Sequence, residues 1–516
     1  VKIFTASQIK EWDAYTISHE PISPIALMER AAYACFTWIT EQLSHKLQTA
    51  PQDEHHFFVF CGRGNNGADG LAIARMLILH KKKVNVYILA EPDNGTNEFD
   101  LNLAAIHKLG TEIHPIENEE SIPSLKKGNI VIDALYGIGL NRPVQVLSAS
   151  LIRKINLSGA TVISIDVPSG MYADKSSRGL TRIRANFTLS FQQYKTSILL
   201  AENAPTIGEF TLLPIGLHQE FESREPVINE LIDEAMIRKI YRIRDQHSHK
   251  GTYGHALLVA GSYGKMGAAI LSSQACLRSG VGLLTVHVPE VGYQIIQIST
   301  PEAMAITGKV IDYSLYTVIG IGPGFGTDEG ATQTLAELLE FQHKPSRSLQ
   351  FSHDKCKLVI DADALNILSC NTGLFAQLPP NSILTPHPKE FDRLFGVSEN
   401  DFDRINMALY QAKKLHCYII LKGHHSYIAT PLGKGYFNNT GNAGMATGGS
   451  GDVLTGILTG LAAQGYTALE TCLLGVYLHG LAGDLAAKKY TQEAMIAGDM
   501  TASLGEAFHR FAPIDF

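Results

Sequence analysis

At 516 residues the chain is longer than one hydrophobic core usually organises, so two domains are expected. Its 45% hydrophobic and 18% charged residues describe an ordinary soluble globular protein, and a net charge of −7 supplies no basic field for nucleic acid or a membrane surface, so anionic ligands must be held by local N–H groups. Seven cysteines (Cys35, Cys61, Cys276, Cys356, Cys370, Cys417 and Cys472), an odd number without CxxC or other zinc-ligand spacing, argue for a reducing compartment, the cytoplasm; no signal core opens the sequence and no apolar run reaches about 18 residues.

Residues 7–44 are helix-rich with a break between Pro21 and Pro24, the pattern of two helices packed on one sheet face. From Phe57 to Ser190, short apolar runs (57–60, 84–89, 130–132, 162–165 and 187–190) alternate with helical stretches, which predicts a parallel sheet flanked by helices. Between the run 57–60 and the helical stretch 71–79 lies a loop, Gly62-Arg63-Gly64-Asn65-Asn66-Gly67-Ala68-Asp69-Gly70, that can aim several N–H groups at a phosphate. Gly62, Gly64 and Gly67 satisfy GxGxxG, and Glu91 follows the next run where a ribose-binding acid belongs, so spacing alone suggests a dehydrogenase. Against that, Asn65, Asn66 and Asp69 add amides and a carboxylate that a pyrophosphate turn does not need, which points to chemistry or cation binding. The next runs end in Asp133 and in Asp166-Val167-Pro168-Ser169. Carboxyl ends of neighbouring parallel strands face one crevice, so Asn66, Asp133, Asp166 and Ser169 are expected to converge, and their oxygen donors suit a hard cation.

Between Pro214 and Asp245 the periodicity fades into a charged, proline-punctuated stretch, which sets the expected boundary: residues 1–221 in one domain and 222–516 in the other. A second α/β series follows, with runs at 256–260, 283–288, 317–321, 358–361, 382–385 and 418–422, then a nearly all-helical end. The fold class is therefore α/β, with two three-layer α/β/α domains. Gly320-Ile321-Gly322-Pro323-Gly324-Phe325-Gly326 is a glycine loop that a structural turn explains equally well. Asp361, Asp363 and Glu390 are acids expected near a divalent metal, and the strand end Lys422-Gly423-His424-His425-Ser426 can cradle a nucleotide. His424 and His425 are adjacent, so they point apart and make a poor metal pair.

The second phosphate-type loop is Asn442-Ala443-Gly444-Met445-Ala446-Thr447-Gly448-Gly449-Ser450-Gly451, followed by Asp452 at the start of an apolar helix. Glycines let the backbone approach a transferring phosphoryl group while the helix contributes its positive end. Asp452 can then accept a proton from an attacking hydroxyl, with a divalent metal bridging phosphate oxygens. No GxxxxGK[ST] occurs, so this is not a Walker site.

With both loops in view, the chain resembles the bifunctional NAD(P)H-hydrate repair enzymes over almost its full length. In these an NAD(P)HX epimerase precedes an ADP-dependent NAD(P)HX dehydratase of ribokinase-like fold. The resemblance rests on GRGNNGADG, DALYGIGL and DVPSG in the front half, and on SHKGTYG, GIGPGFG, DADALN, TPHPKE, LKG and TGGSGDVL in the back half. It implies a Rossmann-like epimerase domain whose substrate contacts fall on Asn65, Asn66, Gly67, Ala68, Asp69, Gly137, Ile138, Gly139, Leu140, Asn141, Arg142, Pro143 and Asp166. A potassium ion falls at Asn66, Asp133 and Ser169, and Lys195 stands where the family often has a lysine near the site. In the ribokinase-like domain it implies hydrate contacts at Ala268, Gly324, His387, Pro388, Lys389, Glu390, Phe391, Asp392, Arg393 and Asp452. ADP, or ATP, with Mg2+ falls on Lys422 to Ser426 and Asn442 to Gly451.

The implied chemistry has Asp166 invert C6 of the hydrate as acid and base, and Asp452 deprotonate the C6 hydroxyl of one epimer for phosphorylation by ADP, after which phosphate is expelled and NAD(P)H restored. Partners are then NADHX or NADPHX and the adenine nucleotide, with no nucleic acid or membrane, in a homo-oligomer. Two departures stand out: Ala68 replaces a usual glycine and is expected to reposition its loop slightly, and Met28-Glu29-Arg30-Ala31-Ala32 replaces a usual Asn-Ala-Gly pattern, so Arg30 is expected to alter a dimer or pocket edge. The alternative is a small-molecule hydroxyl kinase, for a sugar or vitamin alcohol, fused to a non-catalytic nucleotide-binding module.

Overall fold

The computed structural model describes residues 1–48, 55–90, 95–308, 310–343 and 358–512. Glu91 and Cys356 lie outside the described residues. The chain divides into two compact units, one built from Lys2–Val227 with Asn400–Phe402, the other from Ile228–Glu399 and Asp403–Phe516.

The first unit is built on a seven-stranded sheet whose order in space is Ile113–Ile116, Lys83–Leu89, His56–Cys61, Asn129–Ala134, Thr161–Ile165, Phe187–Phe191 and Glu209–Leu213, every neighbour parallel. Parallel strands bury both faces, and side chains alternate between them. Val59 and Cys61 join one apolar core with the helices Pro24–Leu47 and Asn65–Leu79, while Phe58 and Phe60 join the other with the helix Val146–Leu157. The predicted helix pair is present as Ala6–His19 and Pro24–Leu47. Thr5 closes a capping box on the first helix, and Ser23 caps the second with Pro24 behind it, each satisfying N–H groups that the first turn leaves free.

Strand order reverses between His56–Cys61 and Asn129–Ala134: the chain runs outward from the first of these through Lys83–Leu89 to Ile113–Ile116, then returns to run outward the other way. At such a switch point successive loops splay apart and leave a crevice beyond the strand ends. The backbone there is very tight. A methyl group on Gly62 would stand 2.1 Å from the Leu135 carbonyl oxygen, and one on Gly67 would stand 1.8 Å from that of Gly62. Ala68 lies inside the helix Asn65–Leu79, fully buried, with its N–H bonded to Gly64 O at 3.0 Å. Alanine is the better helix former at such a place, so the loop shift expected from replacing glycine is unnecessary.

The second unit repeats the logic. Its own strands run in the order Asn229–Leu231, Gly435–Phe437, Tyr427–Ala429, Tyr418–Leu421, Ile383–Leu384, Leu358–Ile360, Val318–Ile321, His255–Val259, Leu283–His287 and Met304–Ile306. From Tyr418–Leu421 to Met304–Ile306 all pairs are parallel, and Tyr418–Leu421, Tyr427–Ala429 and Gly435–Phe437 form an antiparallel meander. Helices Met266–Arg278, Ser450–Ala463, Ala468–Ala494 and Ala497–His509 cover one face, with Glu329–His343 and Ala362–Cys370 on the other. The switch point here falls between Val318–Ile321 and His255–Val259.

All eleven strands expected from the sequence are present. The strands Ile113–Ile116, Glu209–Leu213, Asn229–Leu231, Met304–Ile306, Tyr427–Ala429 and Gly435–Phe437 were not anticipated. Among the described residues no helix is long and apolar enough to cross a membrane.

Candidate active sites

The crevice at the first switch point is a cavity of about 680 Å³. Asp166 leaves the strand Thr161–Ile165 in a left-handed conformation, φ 67°, held by its N–H to Leu189 O at 2.7 Å. That backbone is strained for most residues and tolerable for aspartate, and it turns the carboxylate into the cavity. One Asp166 oxygen lies 3.1 Å from Lys195 Nζ, and the other accepts from Ile138 N–H at 2.8 Å. Lys195 is 1% exposed and donates further to Ser190 Oγ at 2.8 Å and Phe191 O at 3.0 Å, so this buried cation is paired and hydrogen-bonded in full.

Asp133 is fully buried behind the wall. It accepts from Ser164 Oγ at 2.7 Å and Ser169 N–H at 2.9 Å, and Ser169 Oγ in turn accepts from Tyr136 N–H at 2.9 Å. Burial raises the Asp133 pKa, and the bonds from Ser169 and Ser164 pull partly against that. Asn66 is 8% exposed, and both of its side-chain polar atoms are buried without a hydrogen-bond partner. Such a group costs about 1–3 kcal/mol unless a ligand satisfies it. A methyl group on Gly137 would stand 2.7 Å from Asp166 Oδ2 and 3.3 Å from Asn66 Cγ, which places these three residues against one another.

Of the substrate contacts expected here, Asn65, Asn66, Asp69, Asp166 and the whole segment 137–143 line the cavity. Gly67 and Ala68 stand behind them in the helix. Arg30 is not among the lining residues; it pairs with Glu20 at 2.8 Å and donates to Gly216 O at 3.3 Å. Sequence reading missed Asp13. It projects from the helix Ala6–His19 into the cavity, one turn after Ile9 on the same face. Burial, and then Asp166, raise its carboxyl pKa to about 7 against the opposing pull of Lys195. Asp69 is raised well above the usual range by burial, then by Asp166 and Asp13. The one signal in the sequence was an acid beside the buried Trp12 at helical spacing from Ile9 and Thr16, a pattern a solvated helix face also produces.

In the second unit Gly449, φ +93°, caps the helix Ser450–Ala463, and Asp452 sits in its first turn. Burial, then Asp361, raise the Asp452 pKa to about 6, with Lys422 pulling it down and Asp363 adding to the rise. Lys422 ends the strand Tyr418–Leu421 and lies 2.7 Å from Asp361 Oδ1 and 3.9 Å from Glu390 Oε2. Burial lowers its pKa, and Asp361, Glu390 and Asp452 together more than reverse this, so it is a firm cation. A methyl group on Gly451 would stand 3.3 Å from Lys422 Nζ, which puts the glycine loop and the lysine at one place. Asp484 fixes the loop entrance by accepting from Gly441 N–H at 2.9 Å and Asn442 Nδ2 at 3.0 Å. His479, unforeseen in the sequence, bonds Ser450 O at 3.0 Å; burial lowers its pKa to about 4, so the imidazole beside the helix start is neutral.

At the switch point, a methyl group on Gly324 (φ +58°) would stand 3.0 Å from Ala268 Cβ, so these two expected contacts are neighbours. Asp363 accepts from Gly326 N–H at 2.9 Å and pairs with Lys265 at 3.1 Å. His387 caps the helix Pro388–Phe395, and Glu390 closes a capping box by accepting from His387 N–H at 2.8 Å. Within the segment 387–393, Pro388, Lys389 and Arg393 are exposed, Arg393 donating to Asn366 Oδ1 at 2.8 Å and Asp392 lying 3.4 Å from Arg404 Nε. Phe391 is fully buried against Phe395, so its side chain belongs to the core. The expectation that Asp361, Asp363 and Glu390 gather round a metal is corrected. Asp361 gives one oxygen to Lys422 and the other to Thr455 Oγ1 at 2.7 Å, and among the described residues no three His, Cys, Asp or Glu side chains are placed to hold an ion. In the strand-end segment, His424 is exposed, and burial followed by His424 lowers the His425 pKa to about 4.

Comparison with known proteins agrees with this division. A family described as NAD(P)H-hydrate dehydratase matches residues 256–504, and one described as YjeF-related protein N-terminus matches residues 24–197. The bifunctional NAD(P)H-hydrate repair enzyme of Moorella thermoacetica is 33% identical over 519 residues, covering 96% of this chain and 95% of that protein. The one from Escherichia coli is 30% identical over 486 residues, covering 93% and 88%. Among solved structures, an ADP/ATP-dependent NAD(P)H-hydrate dehydratase from Bacillus subtilis, co-crystallised with ATP and Mg2+, is 32% identical, covers 55% of this chain and 98% of its own, and superposes with a TM-score of 0.48.

Proposed function

This chain belongs to the family of bifunctional NAD(P)H-hydrate repair enzymes, and on that footing we propose that it repairs hydrated NADH and NADPH by two reactions, epimerisation in the first unit and ADP-dependent dehydration in the second. The observation that carries the reading is that each unit holds a half-buried or buried carboxylate beside a paired lysine beyond the carboxyl ends of its parallel strands: Asp166 with Lys195, and Asp452 with Lys422.

In the first site, the hydrate's ring enters the cavity and Asp166 exchanges a proton at the C6 hydroxyl, held in orientation by Lys195 and Ile138 N–H. Asn66, Asp133 and Ser169 suit a potassium ion: they offer oxygen donors carrying one formal negative charge, and the Asn66 amide oxygen has no partner of its own. When bound, that ion would supply positive charge near the substrate's phosphates. In the second site, Asp452 takes the proton of the C6 hydroxyl as it attacks the terminal phosphorus of ADP. Glycine-loop N–H groups and the helix start face the phosphates, and Lys422 balances their charge. AMP leaves; the ring nitrogen lone pair then expels phosphate to give a C6=N1 iminium, which loses a proton from C5 to the departing phosphate or to water, and NAD(P)H is restored. Mg2+ would arrive with the nucleotide's phosphates, since Asp361 and Asp363 are committed to lysines. The six described cysteines are free thiols, consistent with a reducing compartment such as the cytoplasm.

The test is chiral analysis of hydrate consumption with and without ADP. Interconversion of epimers without nucleotide, plus NAD(P)H, AMP and phosphate with it, is the expected result. A stable phosphate ester would favour the kinase alternative, and absence of interconversion would favour the non-catalytic module.

A further inference from the structure

Three carboxylates and two lysines, Lys10 and Lys195, line the first cavity, and only Asp166 is paired with Lys195. Asp13 and Asp166 reach the cavity from separate elements, the helix Ala6–His19 and the end of the strand Thr161–Ile165. Among the described residues the Asp13 carboxyl has no hydrogen-bond or ion-pair partner, although Trp12 beside it is anchored by its Nε1 to His218 O at 2.8 Å. The helix is thus fixed in place, and the acid it presents is free to meet a ligand.

Resting on the reading of this cavity as the epimerase site, we propose that Asp13 is its second acid–base group, donating a proton to the departing C6 hydroxyl while Asp166 serves the opposite face of the ring. A single carboxylate reaches one face of a ring held still, whereas inversion requires one face to lose oxygen and the other to gain it. Asp13, protonated, gives its proton to the hydroxyl oxygen. The C6–O bond breaks, the N1 lone pair forms a C6=N1 iminium, and water leaves. Water then adds to C6 from the other side, the π electrons return to N1, and the Asp166 carboxylate accepts the proton of the adding water. The reverse conversion starts from protonated Asp166 and ionised Asp13, so atoms, charge and protons balance in both directions.

Electrostatics support this division of labour. Asp166 faces Asp13 with negative charge and Lys195 with positive charge; Asp69, its own carboxyl raised well above the usual range, also faces it, and Lys10, on its own helix, lies with Arg63 and Arg142 on the cavity wall. The outcome is a carboxyl that still holds its proton near pH 7, beside one whose charge a lysine neutralises.

The experiment uses the full chain with Asp13→Asn, Asp13→Glu and Asp166→Asn, following each epimer by chiral chromatography from pH 5.5 to about 9 and, in parallel, ADP-dependent consumption of the S epimer. Asp13→Asn is expected to lower the epimerisation kcat by at least about 100-fold with KM changed less than about 3-fold, leaving S-epimer dehydration intact as proof of a folded chain. The wild-type rate should fall on the alkaline side of about pH 7, and Asp13→Glu should restore part of the rate with that limb displaced. A kcat within about 3-fold of wild type in Asp13→Asn, or a rise in KM alone, overturns the proposal while Asp166→Asn remains inactive. If the wild type does not interconvert epimers, or Asp166→Asn does so freely, the epimerase reading fails and the proposal with it.

Discussion

The two oxygens of Asp361 join Lys422 to the helix that carries Asp452: Oδ1 lies 2.7 Å from Lys422 Nζ and Oδ2 accepts from Thr455 Oγ1 at 2.7 Å. One fully buried carboxylate thereby ties a strand end, a lysine and the first turns of the helix Ser450–Ala463 into a single unit. Its loss is predicted to act through the lysine. Asp361→Asn should lower the dehydration kcat about 10- to 100-fold and weaken nucleotide binding, with epimerisation unchanged; isothermal titration with ADP and steady-state rates check both.

In the proposed dehydration Asp452 is the base, so only its ionised form would be active. With its pKa near 6, dehydration should be full above about pH 7 and fall as pH drops through 6. Lys422→Met removes a charge that holds this pKa down, so the acid limb of the rate profile should move to higher pH as the rate itself falls. A pH–kcat profile of the two proteins measures the displacement.

The same raised pKa has a sign for stability. A carboxyl that binds its proton more tightly in the native chain than in the unfolded one costs stability once both are ionised, so this contribution is lost as pH rises from about 4 through 6. Asp452→Asn should therefore abolish dehydration yet raise the melting temperature at pH 7.5, by an amount corresponding to about 1–2 kcal/mol. Differential scanning calorimetry against wild type tests it, and a lower Tm would contradict the assigned environment.

Lys195→Met leaves the Asp166 carboxylate buried without its cation, a change that costs about 3–5 kcal/mol when a buried pair is broken. Epimerisation should be lost and the first unit should unfold earlier on heating, while dehydration of the S epimer continues below that transition. Loss of both activities together at 25 °C would contradict the independence of the sites.

Gly449 carries the turn into the helix Ser450–Ala463 at φ +93°, and a methyl group there would meet Leu271 Cδ1 at 2.4 Å. Gly449→Ala should raise the Kd for ADP at least about 10-fold through displacement of the helix start, with little change in epimerisation. Gly448→Ala, where a methyl group meets nothing within 4 Å, is the control expected to fold normally.

Long apolar runs bounded by glycine and aspartate made most of both sheets legible, because parallel strands buried on two faces leave an unmistakable mark in sequence. Asp133, Asp166 and Asp452 stood out because strand and helix ends are where backbone geometry delivers side chains to a crevice. The strands Asn229–Leu231, Tyr427–Ala429 and Gly435–Phe437, at three residues each, are too short for an alternating pattern to register. Asp13 and His479 were hidden for another reason: each sits on a long helix, and which helix face meets a cavity is decided by tertiary packing. Asp361 looked like a metal ligand because a buried acid at a strand end has two uses, holding an ion or holding a lysine, and only its distance to Lys422 separates them.

The left-handed backbone at residue 166 means that this position is selected twice, once for its carboxylate and once for its conformation. Asparagine and glycine can occupy that region and so report on chemistry alone, whereas valine or isoleucine would also pull the following turn, and with it Ser169 and the Asp133 contact, out of place. A saturation library at this codon should accordingly divide into folded but inactive variants and variants that lose the domain itself, a partition set by main-chain geometry before any proton moves.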